Sequence, residues 1–139
     1  MKGFRKVIKI VMPVLAVLMV AGLILSRVYQ PEPSRRAPEV RVSAFDAAEH
    51  AGSYAEVCGR VASARHVRQI RGEPTFLNLG QPYPDQVFTI VIWGDDRQRW
   101  PDPPEERYLT REVCVTGEIR MHDGVPQIRV RTPDQIRSR

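Results

Sequence analysis

Residues 75–94 read Thr75-Phe76-Leu77-Asn78-Leu79-Gly80-Gln81-Pro82-Tyr83-Pro84-Asp85-Gln86-Val87-Phe88-Thr89-Ile90-Val91-Ile92-Trp93-Gly94. Two short apolar runs, 75–79 and 87–93, flank a turn that holds Gly80, Pro82 and Pro84. The second run is β-branched and aromatic, a strand composition. Successive strand side chains point to opposite faces. That rhythm sends Leu77, Leu79, Phe88, Ile90 and Ile92 to one interior. Phe76, Asn78, Thr89 and Trp93 then face the other way, as does Arg60 on the preceding strand.

Upstream, residues 54–67 read as one long strand in which Val57, Gly59 and Val61 alternate with Cys58, Arg60 and Ala62. A bend or bulge past Val61 would reverse the parity there. Residues 43–51 have the pattern of a short helix: Ser43 can cap it, Asp46 follows three residues later, and Gly52 ends it. Downstream, 94–104 is a loop with Pro101, Pro103 and Pro104, and 105–109 a single helical turn. Residues 112–121 and 125–131 are strands about a turn at 122–124. A polar tail, 132–139, packs through Ile136. Val57, Val61, Val113, Val115, Ile119, Ile128 and Val130 complete the expected core. Five strands, the first long, with a helical connection between the third and fourth, predict an all-β fold: a five-stranded OB-like Greek-key barrel. A β-sandwich usually needs about seven strands.

The N-terminus differs in kind. Lys2, Arg5, Lys6 and Lys9 precede residues 10–25, which carry no charge, and Arg27 follows. A signal peptide and a membrane anchor both begin this way. No Ala-x-Ala cleavage site follows, and the apolar stretch reaches spanning length if Lys9 and Arg27 snorkel to the head groups. Residues 1–29 are therefore expected to form a single N-terminal transmembrane helix. Its basic start keeps the N-terminus inside and the domain outside. Residues 30–41, with Pro31, Pro33 and Pro38, make an extended linker. Residues 42–139 form the domain.

The same segment accounts for the formal charge of +5. Removing Lys2, Arg5, Lys6, Lys9 and Arg27 from the 21 cations leaves 16, all arginine, against 16 acids. The domain is formally neutral, so the sequence pI of about 9.7 does not mark a basic nucleic-acid binder.

Cys58 and Cys114 lack the Cys-x-x-Cys spacing of a zinc or thioredoxin-like site. Strand parity puts both on one face of strands that neighbour each other in such a barrel. A cross-strand disulfide follows if they lie opposite and in an oxidising compartment. Two free thiols are the alternative. His50, His66 and His122 have no metal-ligand spacing. Asp95-Asp96 and Glu105-Glu106 read as solvated or capping pairs. The sequence implies no metal, no cofactor and no enzyme.

Several stretches carry a resemblance: Val57-Cys58-Gly59-Arg60-Val61, Thr75 to Gly80, Pro82 to Gly94, Val113-Cys114-Val115-Thr116-Gly117-Glu118-Ile119, and Gly124-Val125-Pro126-Gln127-Ile128. With its Phe-Leu-Asn and Pro-Tyr-Pro runs, the chain resembles the exported bacterial OB-fold family. The resemblance implies an OB-fold at the outer side of a bacterial inner membrane, with nucleic-acid or oligomer binding. It is less similar to the haem chaperones of cytochrome c maturation, which need a Tyr four residues after a His. Pro126 stands there after His122.

In OB domains the ligand face is the outer side of the second and third strands. Phe76 and Trp93 would stack bases there, with Asn78 and Thr89 beside them. Arg60, Arg65, His66, Arg68 and Arg71 form an acid-free basic stretch nearby, the pairing of cations and rings that single-strand binders use. The expected ligand is single-stranded DNA or another extended anionic polymer. The alternative is a structural or protein-interaction module of the cell envelope.

Overall fold

The computed structural model describes residues 12–21 and 36–139. The chain divides into two compact units, Met1–Arg36 and Ala37–Arg139. In the first, residues 12–21 are helical. Among the described residues no helix is long and apolar enough to cross a membrane. Most of the expected membrane segment and linker, residues 1–11 and 22–35, lies outside the described residues.

The second unit is mostly β-sheet. Its strands are β1 (Val40–Ser43), β2 (Tyr54–His66), β3 (Thr75–Leu79), β4 (Phe88–Ile92), β5 (Glu112–Glu118), β6 (Arg120–His122), β7 (Val125–Arg129) and β8 (Ile136–Ser138). They form one sheet in the order β6-β7-β4-β3-β2-β5-β8, with β1 added parallel to the first half of β2. The expectation of five strands is thus corrected to eight.

Three local causes account for the difference. The first is a break at Ile119. Its N–H donates to the Ser53 carbonyl, and its own carbonyl accepts from the Gly52 N–H. Residue 119 leaves the ladder, and the expected fourth strand becomes β5, paired with β2, and β6, paired with β7. Because β5 and β6 are one residue apart yet lie near opposite ends of the sheet order, the sheet rolls up like a barrel. The second and third causes are the short edge strands β1 and β8. Buried Glu56 on β2 holds both: Arg41 of β1 lies 3.2 Å away and Arg137 of β8 2.5 Å.

The expected helix over 43–51 is also corrected. Ser43 ends β1, and only Ala47–His50 form a 3-10 turn. The Ser43 hydroxyl does find Asp46, but it donates to the side-chain Oδ2 at 2.7 Å and caps no helix. The connection after β4 holds two short helices, Gly94–Arg97 and Pro104–Tyr108. The tail packs through Ile136, which is buried.

The interior follows the two-residue rhythm. Leu77, Leu79, Phe88, Ile90, Ile92, Val57, Val61, Val113, Val115, Ile119, Ile128 and Val130 are all fully buried in one cluster. Burying each stabilises the fold by roughly 1.5–3 kcal/mol, before the entropy of ordering is counted. The β2–β3 register shifts between Val61 and Ser63. That bulge reverses β2's parity: Val61 opposes Leu79 and Ala64 opposes Leu77 on the inside, while Ser63 and Arg65 turn outward.

Candidate functional site

The outer side of β2, β3, β4 and β7 carries two cross-strand rows. The first runs Arg65, Phe76, Val91, Arg129, each residue directly opposite the next. The second runs Ser63, Asn78, Thr89, Gln127, Arg120. Adjacent strands lie about 4.8 Å apart, so the two arginines that bracket Phe76 and Val91 are about 14 Å apart across the sheet. Arg65 is exposed and Phe76 half-buried. Arg129 is steadied by Asp96, at 3.3 Å.

The polar row is closed on itself. The Asn78 amide donates to the Ser63 hydroxyl at 3.1 Å, and Thr89 donates to the Asn78 carbonyl oxygen at 3.2 Å. Ser63 also accepts from the Tyr83 backbone N–H at 3.0 Å, which folds the Pro-rich turn back over this face. Asn78 and Thr89 are consequently buried, at 4% and 6% exposure. Both point outward as the parity predicts, but they bond each other and are not free for a ligand.

Trp93 sits on the turn between β2 and β3. A Cβ built at Gly72 would lie 2.9 Å from its ring, and the Gly94 N–H donates to the Gly72 carbonyl at 2.8 Å. Half-buried, Trp93 packs against that turn and offers at most part of one face.

The basic stretch is divided. Arg60 and Arg65 lie exposed on the outer face of β2, and Arg68 and Arg71 are exposed on the following loop. Among the described residues none of the four forms an ion pair. His66, past the bulge, turns to the end of the barrel. Its Nε2 is shut from solvent without a hydrogen-bond partner. A cleft of about 610 Å³ opens there, lined in part by His66, Arg97 and Trp100, with Glu73, Asp95 and Asp102 bringing carboxylates to it. Arg97 is committed to Glu105 and Thr75. Asp102 is paired with Arg107 at 3.1 Å, but among the described residues Glu73 and Asp95 stand without a cation and repel phosphates, so this cleft does not suit a nucleic acid. Burial pushes the Glu105 carboxyl up, but the hydrogen bond from Arg97, a backbone hydrogen bond and the Arg97 charge together outweigh it, and the group sits below its ordinary 4.5.

Cys58 and Cys114 are bonded, directly opposite on β2 and β5 with their Cα atoms 4.1 Å apart. Glu56 lies beside them, with one ligand atom from each of the three residues within 4.8 Å of the others. Both sulfurs are held in the disulfide, and the Glu56 carboxylate is engaged by Arg41 and Arg137.

Sequence reasoning gave no ligand role to two exposed rings. Phe45 is 65% exposed and Tyr83 71%. Tyr83 reads as a loop anchor in the sequence; its backbone does anchor the loop, but its ring is outside. Phe45 falls in the stretch assigned to a helix, where its tight-turn position was not visible.

No protein-family model matches the chain, and no curated protein is similar to it. Among solved structures, the chain is similar to a putative aspartyl-tRNA synthetase from Leishmania major Friedlin, at 13% identity and a TM-score of 0.42. The match covers 85% of this chain and 26% of that one. This chain therefore spans about a quarter of that protein's length.

Proposed function

We propose that this chain is a binding module of OB type, carried outside a bacterial inner membrane on an N-terminal anchor, that grips single-stranded nucleic acid on the outer face of β2, β3 and β4. The observation that carries this reading is the row Arg65, Phe76, Val91, Arg129, in which the half-buried Phe76 ring lies beside the exposed Arg65 and one buried residue, Val91, from Arg129, itself paired with Asp96. A guanidinium matches a phosphate, and a ring face takes a base without regard to sequence.

The barrel topology supports the OB assignment. Around the roll the order is β2, β3, β4, β7 and then β6, whose continuation β5 returns to β2, and β4 pairs parallel with β7. The uncharged run at residues 10–25 behind four cations supports the anchor and the outward domain.

Fluorescence anisotropy of a labelled single-stranded oligonucleotide, at low and at physiological salt, tests the reading. Binding at low salt is expected, weakening as salt rises because counterions are released. Arg65→Ala should flatten the salt slope, and Phe76→Leu should weaken binding at every salt concentration. A chain that binds no oligonucleotide at low salt overturns the proposal.

A second reading is a protein-interaction module of the cell envelope. The self-satisfied Ser63–Asn78–Thr89 chain favours it, because those three side chains spend their hydrogen bonds on one another. Partners crosslinked in membranes by a chain with no oligonucleotide affinity would select it.

A further inference from the structure

We infer that Phe45 and Arg60 at Gly80, with Tyr83 on the turn that follows it, form a second stacking station of this surface, and that its ligand is a ring-bearing single strand rather than a plain polyanion. This rests on the nucleic-acid reading above and narrows it.

Both rings are exposed for structural reasons. Ala44 and Ala47 are buried on either side of the turn that carries Phe45. The Ala44 N–H donates to the Cys58 carbonyl at 2.8 Å, and Asp46 closes the turn on Ser43. With Ala44 before it and Ala47 two residues after it buried, Phe45 is turned out. Its ring lies against Gly80, where a Cβ would stand 3.2 Å from Phe45 Cζ and 2.5 Å from Val87 Cγ2. Gly80 also has φ +84, so glycine leaves the ring a bare backbone to rest on.

Tyr83 is fixed by its backbone bond to Ser63, which leaves its ring in solvent. Arg60 is held beside Gly80 through its backbone, since its carbonyl accepts from the Gly80 N–H at 3.0 Å, and its side chain is exposed. Along β2, the outward Arg60, Ser63 and Arg65 then connect this group to Phe76.

The chemistry separates two classes of ligand. Arginines attract any polyanion, whereas ring faces add affinity only for a polymer that carries bases. The full chain should therefore be titrated with labelled dT12 and, in parallel, with inorganic polyphosphate of similar charge. Phe45→Ala and Tyr83→Ala should each weaken dT12 binding about five-fold or more and leave polyphosphate unchanged. Phe45→Trp should keep dT12 affinity, and its added fluorescence should be quenched by the oligonucleotide. Met121→Ala, exposed elsewhere, is the control. If dT12 binds through Phe76 and Arg65 but Phe45→Ala and Tyr83→Ala change nothing, this inference alone falls. It falls as well if they weaken both polymers equally. If the unaltered chain binds no dT12, the inference falls together with the reading it rests on.

Discussion

Arg97 and Glu105, on the two short helices that follow β4, meet as a two-point ion pair: Nη1 to Oε2 at 2.5 Å and Nη2 to Oε1 at 2.9 Å. Arg97 Nη1 also donates to Thr75 Oγ1 at 2.9 Å, so the pair ties the connection between β4 and β5 down to the start of β3. Each side chain is about one-fifth exposed. The pair therefore closes the barrel end beside β3 and keeps the only arginine of the acid-lined cleft neutralised.

Stability should consequently depend on acid. A carboxyl whose folded pKa is depressed stabilises the fold at pH above its ordinary value, and that contribution disappears as pH falls through the lowered folded value. Glu105 is such a group, so its contribution is complete above about pH 4.5 and is lost below it. Glu105→Gln should lower stability at pH 7 by about 1 kcal/mol, a charge-assisted bond discounted for partial exposure. The gap between variant and parent should close under acid. Chemical denaturation at pH 7 and pH 3 measures both; a gap that persists at pH 3 would mean that the pair works through shape and not charge.

The disulfide gives a second expectation. Cys58 and Cys114 close a loop of 56 residues. Restricting the unfolded chain by a loop of that length stabilises the fold by about 4 kcal/mol in the chain-entropy account. Cys58→Ser with Cys114→Ser should lower the denaturation midpoint accordingly, and a reductant should bring the parent to the same midpoint while leaving the double variant unmoved. Urea unfolding with and without reductant is the measurement. Equal midpoints for oxidised parent and double variant would remove the bond from any account of stability.

How far the sequence foretold this structure depended on whether a residue's place is set by local rhythm or by distant neighbours. Leu77, Leu79, Phe88, Ile90 and Ile92 alternate strictly, and each is where that alternation puts it. β1 and β8 are four and three residues long, too short for a period to show, and they are held by pairing with β2 and β5, by Val40, Val42 and Ile136 against the core, and by Arg41 and Arg137 on Glu56. Ile119 is apolar and buried like its neighbours, so nothing local marks the strand break; its partners, Gly52 and Ser53, lie more than sixty residues back.

The candidate site was legible in the same uneven way. Parity placed Phe76, Asn78, Thr89 and Trp93 outward, but it could not say that a turn anchored through Tyr83 and Ser63 would cover the face above Asn78 and Thr89. The bulge at Ala62 decided the rest. It turned Arg65 outward beside Phe76 and sent His66 to the barrel end, dividing a basic stretch that reads as continuous in one dimension.

Barrel closure supplies the last expectation. Gly117 lies two residues before the bend at Ile119, where β5 must pass close to β7. A Cβ built at Gly117 would stand 2.5 Å from Ile128 Cγ2. Gly117 is not in the left-handed region, so alanine there meets a packing obstacle and no backbone strain. Ile128 is fully buried and cannot swing out to solvent. Gly117→Ala should therefore destabilise by about 1–3 kcal/mol, the range for overpacking a filled core. The cause can be isolated. Ile128→Ala alone opens a cavity and is costly, but in the Gly117→Ala background it also removes the obstacle. The double variant should be more stable than the sum of the two single effects predicts, with a coupling of about 1 kcal/mol or more. Urea unfolding of the four proteins completes the cycle. Strict additivity would show that Gly117 and Ile128 do not meet, and that β5 and β7 approach each other through some other contact.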